Sequence, residues 1–162
     1  MTRISCLMFL LALSPAFAQT GSWQKHMVAG RKAFEKLRLS DAEQHFGEAL
    51  RAAERSGAQG QNLRIADSLD GMAEVFIAEG KTSAAEPLFQ RSLNLREKEL
   101  GPSNLDLAKS LDTLADLYER EGKHAAAEPL FARSKAIRER AFAEHPDTYV
   151  YVDGKLVLRE PK

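Results

Sequence analysis

Four histidines, one cysteine and a glutamate that recurs in a repeated phrase are the residues whose types could do chemistry in this chain of 162 residues. Metal binding needs several nitrogen, sulfur or carboxylate donors at a short fixed spacing. His26, His45, His124 and His145 lie far apart and share no such spacing, so neither a metal nor another cofactor is expected. A nucleophile elbow would read G-x-S-x-G, and a phosphate cradle would need a glycine-rich loop; the sequence contains neither. Ser56 beside Gly57 reads as a turn. The remaining candidates are Glu86 and Glu128, each inside Ala-Ala-Glu-Pro-Leu-Phe, which occurs at Ala84 to Phe89 and again at Ala126 to Phe131. Either would be a general acid or base working without a partner group to set its pKa. The chain is therefore read as non-enzymatic, with an enzyme carrying an unrecognised site as a remote alternative.

The phrase makes better sense as a structural joint. Residues 66–100 and 108–142 align without gaps at 18 of 35 positions, from ADSLDGMAEVFIAEGK against AKSLDTLADLYEREGK onwards. A fixed period of this length marks stacked supersecondary units. Each unit reads as two helices. Leu69, Met72, Ala73 and Phe76 fall at helical spacing and are echoed by Leu111, Leu114, Ala115 and Tyr118. Gly80 and Gly122 supply the stop. Ala85, Leu88, Phe89 and Ser92 make the stripe of the second helix, echoed by Ala127, Leu130, Phe131 and Ser134. Pro87 and Pro129 are expected about one turn into that helix, where a missing N–H costs little. The alanines allow close helix approach, and the phenylalanine fills the space between the helices.

A degenerate copy lies upstream, where Asp41-Ala42-Glu43-Gln44-His45-Phe46 precedes Ala84–Phe89 by 43 residues. Its first helix is expected from about Trp23 to Leu37, without the large contact residues or the glycine stop. Trp23 is expected to help cover that end, and Ser56 to Asn62 reads as the connector to the next unit. The expected division is 1–18 a signal peptide, 19–64 the degenerate repeat, 66–107 and 108–147 the clear repeats, and 148–162 a tail.

The order Leu69…Met72-Ala73…Phe76…Gly80…Ala85…Phe89, with its copy Leu111…Leu114-Ala115…Tyr118…Gly122…Ala127…Phe131, resembles the tetratricopeptide repeat. The match is to the longer form of about 42 residues, found in kinesin light chains and many bacterial proteins. The resemblance implies an all-α, right-handed helix-turn-helix solenoid of about three repeats, whose first helices line a concave binding surface. It implies that Asp67, Asp70, Glu74 and Ile77, with Lys109, Asp112, Asp116 and Glu119, face that groove, and that Arg31 and Phe34 are secondary candidates. The groove would be acidic and would suit a basic or mixed-charge protein or peptide. The asparagines that often hold peptide backbones in related grooves are replaced by Gly71, Ala78, Thr113 and Arg120, which argues against clamping by side-chain amides.

The ends of the chain bear on location and assembly. MTRISCLMFLLALSPAFA has an early Arg3, an apolar run from Ile4 to Leu13 and an Ala-x-Ala ending, the layout of a secretory signal peptide cleaved before Gln19. Export to the periplasm, or secretion, is expected, and the mature chain would lack Cys6 and any cysteine. Loss of Arg3 would leave 22 basic against 23 acidic residues, a balance that supports neither nucleic-acid binding nor a polybasic membrane patch. No membrane insertion of the mature chain is expected. At the other end, Tyr149 to Val152 and Lys155 to Leu158 flank Asp153-Gly154, a strong signal for a β-hairpin. The hairpin either covers the last helix or offers a strand edge to a partner or a second copy. The function expected is an exported bacterial adaptor or scaffold. The alternative is a self-assembling homo-oligomer formed through the open repeat end and the hairpin.

Overall fold

The computed structural model describes residues 15–57, 59–146, 148–152 and 155–158. Most of the expected signal peptide and the hairpin turn at Asp153-Gly154 lie outside the described residues. Six helices run in order: α1 (Pro15–Glu35), α2 (Leu39–Ser56), α3 (Gln61–Ala78), α4 (Thr82–Leu100), α5 (Leu105–Arg120) and α6 (His124–Glu144). They pack as three antiparallel pairs, α1/α2, α3/α4 and α5/α6, with α2 against α3 and α4 against α5 joining the pairs into one stack. The strands β1 (Tyr149–Val152) and β2 (Lys155–Leu158) form an antiparallel hairpin with Tyr149 opposite Leu158 and Val152 opposite Lys155. Residues Pro15–Ala18, the end of the expected signal peptide, form the first turn of α1.

The three pairs turn the same corner. Lys81 N–H donates to the Phe76 carbonyl at 2.8 Å and Gly80 N–H to that of Ile77 at 2.9 Å, and Lys123 and Gly122 repeat this with Tyr118 and Glu119. This double bond pattern ends a helix on a left-handed residue. Gly80 and Gly122 have φ of 76° and 73°. The degenerate repeat makes the same corner without glycine: Arg38 N–H reaches the Ala33 carbonyl, Leu37 N–H that of Phe34, and Leu37 itself takes φ 55°. Its side chain is 80% exposed. The stop that the sequence lacks is imposed by the packing of α1 on α2.

Pro87 and Pro129 sit deeper than expected. Counting from Thr82 and His124, each is the sixth residue of its helix, beyond the turn whose N–H groups are free. The carbonyls of Ser83 and Ala125 thus lose their helical donor. Both residues are exposed, so water can take the donor's place. The alanines behave as expected: Ala73, Ala85, Ala115 and Ala127 are fully buried where the two helices of a pair approach.

The apolar core is continuous through the middle of the stack, with Leu107, Leu111, Leu114 and Leu117 of α5 packed against Phe89 and Leu93 of α4. The first pair is built differently. Phe46 of α2 lies between Gly30 of α1 and Gly71 of α3, so close that a Cβ added at Gly71 would stand 2.6 Å from its ring. Trp23 does not cover the open end. Its Nε1–H donates to Ser68 Oγ at 3.0 Å and lies 3.2 Å from the Arg64 carbonyl, which ties α1 to α3. Ser56 is the last residue of α2 rather than part of a turn, and its hydroxyl donates to the Ala53 carbonyl.

Candidate functional site: the concave groove

The first helices α1, α3 and α5 line a groove of about 580 Å³, with Met27, Phe46, Leu63, Phe89 and Leu100 supplying its apolar lining. Of the residues expected to face it, Asp67, Asp70, Glu74 and Lys109 do so, as does Arg31. Ile77 packs against the core instead, and Phe34 packs into the first pair. Asp112, Asp116 and Glu119 lie outside the groove lining. Asp112 pairs with Arg138 of α6, and Glu119 lies 2.8 Å from Nδ1 of His124. Asp116 is exposed.

The groove is less acidic than its first helices suggest, because α4 sends Arg96 into it. Arg96 of α4, only 13% exposed, reaches Asp67 at 2.7 Å and Asp70 at 2.6 Å. It also donates to Ser92 Oγ, whose own hydroxyl donates to the Ala66 carbonyl at 3.2 Å. One repeat later Arg138 donates to Ser134 and Asp112, and Ser134 donates to the Ala108 carbonyl at 3.0 Å. These relays are partly buried bolts between the helices of a pair, anchored on the buried Ser92 and Ser134. Removing one partner from such a relay leaves a charge without compensation. The burial that the bolt imposes on Asp70 pushes its carboxyl above the ordinary range, against the pull of Arg96. Ser92 and Ser134 lie on the packing stripe of the second helix, as their spacing predicts, but the arginines one turn later are a finding of the structure. Their signal was present in the repeated serine-to-arginine spacing of RSLNLRE and RSKAIRE.

With the bolts set aside, four charged side chains of the groove make no hydrogen bond or ion pair among the described residues: Arg31 of α1, Glu74 of α3, and Asp106 and Lys109 of α5. Glu74 stands between the two cations. Loss of solvent, and then the neighbouring Asp70, raise its pKa, while Arg31 and Lys109 pull it back.

A structural contact that the sequence did not suggest lies on the other side of the first pair. Nδ1 of His26 and Nδ1 of His45 are 3.4 Å apart. The equivalent positions in the later repeats carry Leu69 with Leu88 and Leu111 with Leu130, which pack as apolar neighbours. Among the described residues, no group of three or more potential ligands is placed to hold a metal ion.

Residues 64–140 match the tetratricopeptide repeat family model. Over that stretch the chain carries tetratricopeptide repeats. Such repeats generally mediate protein–protein interaction. Among solved structures, it is similar to BtubC (BKLC) from P. vanneervenii, with 21% sequence identity and a TM-score of 0.61 over 90% of this chain. The match covers 55% of that protein, so this chain spans little more than half its length. None of the curated proteins matches. Among the described residues no helix is long and apolar enough to cross a membrane.

Proposed function

We propose that this protein is an exported, non-enzymatic adaptor that holds a segment of another protein against the concave face of α1, α3 and α5. The reading rests on one observation. The groove presents uncommitted charges of both signs, Arg31, Glu74, Asp106 and Lys109, above an apolar lining, while Asp67 and Asp70 are used to bolt the helices together. Such a surface suits a partner of mixed charge, and binding should weaken as salt rises. Glu74→Lys and Lys109→Glu leave the bolts intact, and so test the groove without unfolding it. The expected outcome of affinity capture from an envelope extract is a partner held by the natural protein and lost by both variants. A partner held equally by all three would place the site elsewhere. Export is tested separately: the N-terminus of the released protein should be Gln19.

A second reading, assembly with further copies, is favoured by the apolar groups left bare at the C-terminal end, where Phe131 is 36%, Val152 49% and Val157 39% exposed. β1 meets α6 at its last turns, where Tyr149 shares a hollow with Arg140, Ala141 and Glu144. A single monomeric species in sedimentation at high concentration would remove this reading.

A further inference from the structure

We infer that the groove reads an extended segment with the order acid, base, acid, its charges spaced three to four residues apart. This inference rests on the adaptor reading above and names the segment that the groove would take. Arg31 and Glu74 occupy equivalent positions of their repeats, and Lys109 stands about two turns nearer the start of its helix, so the three charges run obliquely across the groove. Helices set side by side lie on the order of 10 Å apart, a helical turn rises about 5.4 Å, and an extended chain advances about 3.3 Å per residue. The step from Arg31 to Glu74 therefore takes about three residues, and the oblique step from Glu74 to Lys109, lengthened by two turns, about four.

Each charge of the segment has a defined counterpart. A base meets Glu74, which gains a direct partner in place of two cations that make no ion pair with it. One acid meets Arg31. The other meets Lys109, with Asp106 one turn before it on the same rim. Asp106 offsets part of the charge of Lys109, so the contact at Arg31 should contribute more. Asp67 and Asp70 do not compete for the base, because Arg96 already holds both. The backbone of the segment gains little from the wall of α3. Gly71 offers no side chain, and the ring of Phe46 fills the space beside it. Recognition therefore depends on side-chain charges more than on backbone capture.

Labelled peptides of neutral polar residues carrying Glu-x-x-Lys-x-x-x-Glu, its charge-reversed form Lys-x-x-Glu-x-x-x-Lys, and a scramble of the first test this by fluorescence anisotropy. The Glu-x-x-Lys-x-x-x-Glu peptide should bind about tenfold more tightly than the charge-reversed form, an advantage that high salt erases. Glu74→Lys should move the preference to Glu-x-x-Glu-x-x-x-Glu, and Arg31→Glu should cost more than Lys109→Glu. Equal binding of all three peptides would overturn the charge order and leave the groove reading standing. Failure of every peptide, together with a natural partner that Glu74→Lys still captures, would overturn both.

Discussion

The two copies of Ala-Ala-Glu-Pro-Leu-Phe occupy the same place on α4 and α6, yet their surroundings differ. Phe89 is 5% exposed under α5, whereas Phe131, with no following helix pair above it among the described residues, is 36% exposed. Glu86 accepts from Lys123 Nζ at 2.6 Å, while Glu128 makes no hydrogen bond or ion pair among the described residues. Leu93 is buried in the interior interface, and its counterpart Lys135 is exposed. Identical residues thus contribute according to the neighbour that follows them. The last change, leucine to lysine, puts a charged side chain where the position meets water.

The sharpest way to break this comparison is to truncate both phenylalanines. Phe89→Ala should lower the stability measured in urea by about 3–5 kcal/mol, the range for a buried aromatic. Phe131→Ala should cost about half of that or less, because it already meets water. Equal losses would mean that the open end is covered in solution. The first repeat offers the opposite experiment. Replacing His26 and His45 together by leucine restores the apolar pair of the later repeats, and should stabilise the protein by about 1–2 kcal/mol. An unchanged or lower Tm would show that the imidazole pair contributes more than packing.

Leu37→Gly should stabilise by about 1 kcal/mol, since it removes the left-handed strain that Gly80 and Gly122 avoid. Loss of stability would mean that the corner is held differently from the other two. The smallest effect is a pH effect on the link between repeats. The hydrogen bond from Lys123, more than any other contact, holds Glu86 below the usual glutamate value of 4.5. Its contribution is therefore present above that value and lost as pH falls through the lower folded value. Glu86→Gln should be less stable than the natural protein at neutral pH and converge with it in acid. Glu128→Gln, which removes no hydrogen bond or ion pair among the described residues, should leave stability at neutral pH unchanged. Melting curves between pH 3 and 7 check both.

The architecture was largely legible. The 42-residue self-similarity placed the helices of the two clear repeats, Gly80 and Gly122 marked their corners, and the run from Tyr149 to Leu158 gave both strands. Periodicity succeeds here because each repeat buries the same face. The groove was only partly legible. Four of the eight expected residues line it, and Asp70 and Asp112 are held by Arg96 of α4 and Arg138 of α6, whose reach across a helix pair no local pattern encodes. The contact of His26 with His45 was hidden for the same reason, since 19 residues and a helix turn separate them in sequence.

What the sequence determined by itself is the period, the helical type of each segment, the close approach at Ala85 and Ala127, and the hairpin. These depend on propensity and on which face is apolar, both local properties. What only the tertiary structure decided is which charges remain free. Asp67, Asp70 and Glu74 are similar acids on one helix face, yet Arg96 takes two of them and leaves the third. That choice depends on the reach of one side chain across a packed helix pair, a distance set by three-dimensional packing rather than by spacing along the chain.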